Sequence, residues 1–253
     1  MTHPFATRQI PFFLTASAPC PYLPGKWERK VFTRIEIGEG PGLNDALTHA
    51  GFRRSQGVLY RPACEACDAC KSVRVDAASF DWKRRWRKRV NRNGDLTLST
   101  GTQTATMEQY ELLTRYLDSR HGDGDMAGMS FGEYVMMVED GAQRTHVAEY
   151  RDSDGMLVAA ALTDILKDGL SLIYSYFDPD QDRRSLGSFM ILDAVRQAEA
   201  AGLPFVYLGY WVRQSRKMGY KAAYQPLQVL TPSGWQAHAE LANHGDEDDD
   251  MPG

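Results

Sequence analysis

The 253-residue sequence predicts an α+β protein with an N-terminal mixed α/β domain around a Cys-rich loop and a C-terminal domain built on one sheet. Three observations carry this. Strand-like runs at Thr145–Tyr150, Leu157–Ile165 and Ser171–Phe177 are separated by Asp152-Ser153-Asp154-Gly155 and Lys167-Asp168-Gly169, which are hairpin turn sequences. A helix capped by Ser185 and running to about Ala201, an apolar strand Phe205–Trp211, a short helix around Ser215–Met218 and a strand Leu227–Leu230 follow. Upstream, three of the four cysteines lie within Cys64–Cys70, just ahead of a dense basic segment. These features divide the chain into an N-terminal domain at 1–100, a second domain at 101–240, and an acidic tail at 241–253 whose composition predicts disorder.

The first thirty residues are rich in proline and aromatics and read as irregular. Lys30–Ile37 suits a strand, and Pro41–Ala50 a short helix ended by Gly51. Ser55-Gln56-Gly57 marks a turn, so Gly51–Tyr60 reads as a hairpin that delivers the chain to the cysteines. Ser72–Val75 reads as a strand, and Trp82–Asn91 as a basic helix closed by Asn93-Gly94. Met107, Tyr110, Leu113 and Leu117 recur at helical spacing within Thr106–Arg120. Ser130-Phe131-Gly132-Glu133 is a capping box that opens a helix through Val138.

Composition is that of a soluble globular protein, with 43% hydrophobic and 25% charged residues. No apolar run approaches the roughly 20 residues of a membrane helix. Met1-Thr2-His3-Pro4-Phe5 is not a basic segment before an apolar core, so no signal peptide is expected and the expected compartment is the cytoplasm. The net charge of −4 hides an uneven distribution: without Asp246, Glu247, Asp248, Asp249 and Asp250 it is +1. Lys83, Arg84, Arg85, Arg87, Lys88, Arg89 and Arg92 concentrate positive charge in one helix, a field suited to phosphates. The bland alternative is a solvated cationic helix, with Trp82 and Trp86, four apart on one face, turned to the core.

Close cysteine spacing without a secretory signal points to metal or redox chemistry before a disulfide framework. Cys20 can complete a tetrahedral zinc site with Cys64, Cys67 and Cys70, and an iron–sulfur cluster wants the same thiolates. The third possibility is four reduced thiols around a tight loop. No Gly-x-x-x-x-Gly-Lys-Ser/Thr loop is present, and the six histidines offer no convincing Ser–His–Asp set.

The order of elements after residue 145 resembles the Gcn5-related acetyltransferase architecture, in which two neighbouring parallel strands splay apart around an acyl donor. Here they would be Ser171–Phe177 and Phe205–Trp211. The coenzyme A loop of that architecture, Arg/Gln-x-x-Gly-x-Gly/Ala, stands here as Arg184-Ser185-Leu186-Gly187-Ser188-Phe189. A phenylalanine at the last position is expected to obstruct a pyrophosphate and to mean a changed donor.

A second resemblance is more specific. Tyr60-Arg61-Pro62-x-Cys64-x-x-Cys67-x-x-Cys70-x-Ser72-x-Arg74 is similar to the N-terminal signature of the arginyl-tRNA–protein transferase family. Asp178-Pro179-Asp180 with Ser185-Leu186-Gly187 adds to it, as do Tyr207-Leu208-Gly209-Tyr210-Trp211, Lys217-Met218-x-Tyr220-Lys221 and Pro226. The likeness runs from about Pro11 to Leu230, and the Cys-x-x-Cys-x-x-Cys form resembles the bacterial branch. It implies transfer of leucine from leucyl-tRNA to the α-amine of proteins beginning with Asp or Glu, marking them for N-degron degradation. It requires no cofactor; relatives have been linked to an iron–sulfur cluster, so a cluster or zinc at the cysteines stays open. Transfer of arginine instead of leucine, a coenzyme A-dependent N-acetyltransferase, and a non-catalytic RNA-binding protein are the alternatives.

On this reading Asp178 and Tyr210 are the candidate catalytic residues, and Tyr176, Gly187, Gly209, Trp211 and Tyr220 line the donor cleft. Arg74 is the first candidate for the acceptor carboxylate, because a guanidinium grips it with two parallel hydrogen bonds; Lys217 and Lys221 come second. Equally, Arg74 can be paired with a structural carboxylate and Asp178 can serve its turn. Lys83, Arg84, Arg87, Lys88 and Arg184 would meet tRNA phosphates, with Trp86 stacking on a base or sugar.

Overall fold

The computed structural model describes residues 10–35, 41–101, 103–120, 126, 128–140 and 144–239. The acidic stretch 246–250, the tail around it, and residues 36–37 of the first expected strand lie outside these residues. The segment expected to be irregular contains three two-residue strands, β1 (Phe13–Leu14), β2 (Ala18–Pro19) and β3 (Trp27–Glu28). Then come β4 (Lys30–Arg34), α1 (Pro41–His49) and the hairpin β5 (Arg53–Ser55)–β6 (Val58–Pro62), turned by Gln56 at φ 52°. β7 (Lys71–Asp76) and α2 (Arg84–Arg92) are the expected strand and basic helix.

β8 (Thr97–Gly101) is exposed along its whole length, so it carries no apolar alternation to announce it. α3 (Met107–Arg120) and α4 (Phe131–Glu139) follow the helical pattern, and the Ser130–Glu133 capping box is closed in both directions. β9 (Thr145–Arg151), β10 (Leu157–Ile165) and β11 (Gly169–Phe177) form the meander. α5 (Leu186–Ala200), β12 (Phe205–Trp211), β13 (Leu227–Thr231) and the unanticipated β14 (Gly234–Ala237) complete the chain.

Two expectations are corrected. Ser185 does not cap α5 with its side chain: it sits at φ 56°, ψ 46°, reversing the chain in one residue after the 3-10 turn Pro179–Arg184. The short helix expected at Ser215–Met218 is a series of turns, and a 3-10 turn forms at Gly219–Ala223 instead.

β1, β4, β6 and β5 make a small sheet in the order 1-4-6-5. The large sheet has eight strands in the order 14-13-7-12-11-10-9-8. β7 lies between β12 and β13, so the sheet does not part at residue 100, the boundary suggested by the sequence. β10 is buried at eight of its nine positions because helices cover both its faces. On one face α3 and α4 pack through Leu113, Leu117 and Tyr134 onto Ala160, Leu162 and Tyr176. On the other, α5 packs through Leu186, Phe189 and Met190 onto Val158, Ala159 and Ala161, and α2 places Trp86 against the same layer near Val75 and Leu227.

The small sheet is bolted to the large one by a buried charge pair. Arg54 donates through Nε and Nη2 to both oxygens of Asp164 on β10, each at 2.7 Å. Asn44 of α1 and Thr145 of β9 satisfy the same carboxylate. Among the described residues no helix is long and apolar enough to cross a membrane.

Candidate active site

β11 and β12 run parallel but pair only where Gly169–Ser171 meets Phe205–Tyr207. Beyond Ser171 they diverge and open the V expected from the sequence. β12 also carries an irregularity: its register against β7 shifts between Tyr207 and Gly209, and Gly209 adopts φ +77°. A diverging pair leaves backbone carbonyls without ladder partners, and such groups need donors.

Two cations supply them. Arg53, from the hairpin of the small sheet, donates through Nη2 to the carbonyl oxygens of Leu172 and Ile173 on β11 and through Nη1 to Ser171 Oγ at 3.4 Å. Lys221, from the 3-10 turn after β12, donates from Nζ to the Tyr210 carbonyl at 2.6 Å. Lys221 is 7% exposed. Burial, with the nearby Arg53 charge adding to it, pushes its ammonium down to about 7. Aromatic rings wall the cleft. Tyr116 of α3 lies against Phe177 with ring centroids 4.9 Å apart, and Tyr220 is half exposed. Gly187 lies under the Phe177 ring, where a Cβ would stand 3.1 Å from it.

The other residues singled out in the sequence are distributed more widely. Gly209 and Lys221 belong to the V. Trp211 donates from Nε1 to the Gly219 carbonyl at 3.3 Å and so ties β12 to the turn that carries Lys221. Tyr210 turns its ring the other way, with its hydroxyl 3.0 Å from the carbonyls of both Gly51 and Tyr60. Tyr176 is buried under α4, hydroxyl to hydroxyl with Tyr134 at 2.6 Å. Asp178 caps its own turn, accepting from the Asp180 backbone at 3.1 Å, and pairs with Arg115 at 2.6 Å. Lys217 is exposed.

Arg74 is buried, and its Nε and Nη1 both have partners. Its Nε donates to Gln228 at 2.8 Å and its Nη1 to the Tyr207 hydroxyl at 2.9 Å. It lies 3.6 Å from Asp168 and stacks on Phe205 and Trp235 at 3.4 and 4.4 Å. This is the pairing with a structural carboxylate that the sequence left open.

On α2, Arg84, Arg87 and Lys88 are exposed, and Lys83 pairs loosely with Asp81 at 3.2 Å. Arg184 is held by Asp95 through two 2.8 Å hydrogen bonds. Trp86 is 2% exposed and stacks flat on Tyr224 at 4.8 Å, so it has no face for a base, contrary to that expectation. The ring of Phe189 does not obstruct the entry to α5 either. It packs inward against Tyr150 at 5.4 Å, because the fourth residue of the helix faces the sheet.

The four cysteines line one cavity of about 460 Å³ with Tyr22, Tyr60 and Tyr210. All four are free thiols. Burial pushes the Cys70 thiol up to about 11, with Cys20, Cys64 and Cys67 contributing. Among the described residues no three or more Cys, His, Asp or Glu side chains are arranged to hold a metal ion.

Arg53 is the cleft residue the sequence did not disclose. It occupies a short strand beside a second arginine, and nothing in that pattern separates the two.

Two family models match the chain. Residues 18–88 match "Arginine-tRNA-protein transferase, N terminus" and residues 108–231 match "Arginine-tRNA-protein transferase, C terminus". An aspartate/glutamate leucyltransferase of Maricaulis maris (strain MCS10) is 84% identical over 253 residues, covering 99% of this chain and 100% of that protein. Another, from Caulobacter vibrioides (strain NA1000 / CB15N), is 56% identical over 240 residues, covering 93% of this chain and 86% of that one. Among solved structures, the C-terminal domain of a lysylphosphatidylglycerol synthetase from Agrobacterium fabrum aligns with 81% of this chain and 68% of its own, at 18% identity and a TM-score of 0.46.

Proposed function

The chain belongs to the arginine-tRNA–protein transferase family, and on that premise we propose that it transfers leucine from leucyl-tRNA to the α-amine of proteins beginning with aspartate or glutamate. It is an aminoacyltransferase. The observation that carries the leucyl and acidic-acceptor assignment is the 84% identity, over the whole of both chains, to an aspartate/glutamate leucyltransferase.

The chemistry asks little of side chains. The leucyl ester is already activated. The acceptor nitrogen attacks the ester carbonyl, a C–N bond forms, the C–O bond to the tRNA ribose breaks, and the proton lost by the amine leaves with that hydroxyl. An α-amine with a reference pKa near 7.7–8.0 already has a sizeable neutral fraction at physiological pH. Rate enhancement then comes mostly from holding amine and ester together in the V. The exposed Arg84, Arg87 and Lys88, with Lys83, supply phosphate contacts for the tRNA. Stacking by Trp86 forms no part of this reading.

The test is transfer itself. The protein is incubated with pools of charged tRNA and a peptide beginning with Asp, and the product is weighed. Addition of one leucine is expected. Addition of arginine alone would keep the family and reject the leucyl assignment, and acetylation from acetyl-coenzyme A without aminoacyl transfer would reject the reading altogether.

A further inference from the structure

We propose that Arg53 and Lys221 together form the subsite for the side-chain carboxylate of the acceptor's N-terminal residue. This rests on the transfer reading above and names the groups that make the acceptor acidic.

Charge balance carries the argument. Other engaged arginines around the sheet have acidic partners: Arg54 with Asp164, Arg74 with Asp168, Arg115 with Asp178, Arg184 with Asp95. Arg53 and Lys221 differ. Among the described residues their hydrogen-bond partners are the carbonyls of Leu172, Ile173 and Tyr210, Ser171 Oγ and the Met218 thioether. Such groups satisfy N–H bonds but leave the charge uncancelled. Arg53 fills the space beside Gly209 and Lys221 Nζ reaches the carbonyl of the next residue, Tyr210, so an anion bound there offsets the guanidinium charge and holds the lysine protonated.

The location selects the anion. The pair sits where β11 and β12 part, the place the transfer reading gives to the reacting amine and ester. Gly209 at φ +77° leaves the room beside β12 that the Arg53 side chain fills. Arg74, the guanidinium favoured by sequence, is already committed to Asp168, Gln228 and Tyr207. Long stems on both cations suit carboxylates one or two methylenes from the α-carbon.

The experiment separates carboxylate binding from chemistry. Peptides beginning with N-acetyl-Asp and N-acetyl-Asn have blocked amines, and their affinities for the whole protein are measured by titration alongside leucyl-transfer kinetics on free-amine Asp and Glu peptides. Wild type should prefer acetyl-Asp. Arg53→Gln should abolish that preference and lower kcat/KM for Asp and Glu peptides by ~30-fold or more, the loss expected when a desolvated charged pair loses one partner. Arg53→Lys should recover part of it, and Lys221→Met should act alike where a thermal melt shows it folded. A folded Arg53→Gln that keeps the Asp-over-Asn preference overturns the proposal, as does a wild type with no such preference. Wild type that binds acetyl-Asp preferentially yet transfers no leucine would instead reject the transfer reading and leave the carboxylate subsite standing.

Discussion

Gly209 and Arg53 fit together so closely that a Cβ on the glycine would stand 2.5 Å from the arginine Nε and 2.7 Å from its Cζ. The glycine is 156 residues away in sequence and sits at φ +77°, a conformation that other residues resist. Gly209→Ala should therefore cost about 1–3 kcal/mol in backbone strain and displace the guanidinium. Urea unfolding reports the first effect. Loss of leucyl transfer comparable to that of Arg53→Gln reports the second, and a variant with wild-type stability and activity would show that the close fit is unimportant.

Lys221 makes stability depend on pH. Its amine titrates near 7 in the folded protein against 10.5 for an ordinary lysine, chiefly through burial. Below about pH 7 both folded and unfolded chains carry the proton, and the folded state bears the cost of the buried charge. Above it the folded amine is neutral while the unfolded one stays protonated, so the unfolded chain binds more protons and stability rises with pH up to about 10.5. Lys221→Met should lack this rise. Urea titrations near pH 7 and about pH 9 should give converging values for the variant and diverging ones for wild type.

The Arg54–Asp164 pair has side chains 0% and 1% exposed. Removing one partner strands the other charge, so Asp164→Ala should cost about 3–5 kcal/mol. The small sheet should detach first, visible as early hydrogen exchange in β4–β6 while α3 and β9–β11 stay protected. Uniform loss of protection would show instead that the two sheets unfold as one unit.

Cations that neutralise exposed phosphates show themselves in salt dependence. Replacing Arg84, Arg87 and Lys88 by Ala should weaken tRNA binding and reduce the slope of log K against log salt by roughly 0.7–0.9 for each phosphate no longer neutralised. An unchanged slope would place the RNA elsewhere on the protein.

Trp86 tests the same helix from its buried side. It stacks on Tyr224 at 4.8 Å with planes 8° apart, and Arg85 and Arg89 lie over its ring at 4.3 and 4.9 Å. Trp86→Ala should cost about 3–5 kcal/mol, as for a large buried aromatic. Trp86→Phe should retain most stability and full tRNA affinity; a selective loss of tRNA binding in the phenylalanine variant would restore the base-stacking role.

Local pattern and local chemistry were readable from the chain itself. Apolar runs bounded by turn residues placed the meander and β12, and the helical spacing of Met107, Tyr110, Leu113 and Leu117 placed α3, because such signals depend only on neighbouring residues. The capping box at Ser130 and the spacing of the cysteine and Tyr207–Lys221 motifs were readable for the same reason. What the chain could not disclose is which side chain faces which partner across long separations. Arg53 and Arg54 are adjacent in one strand and identical in kind, yet alternation sends Arg54 to a buried carboxylate 110 residues on and Arg53 to the bare carbonyls of a splayed strand 119 residues on. Arg74 was chosen for its chemistry, and the sheet order, which sets β7 beside β12 and β13, supplied Tyr207 and Gln228 as its partners. Most of the elements, the family and the kinds of charge available follow from the order of residues alone. Which of those charges are cancelled does not, because that depends on desolvation and on partners brought together only by the closed sheet.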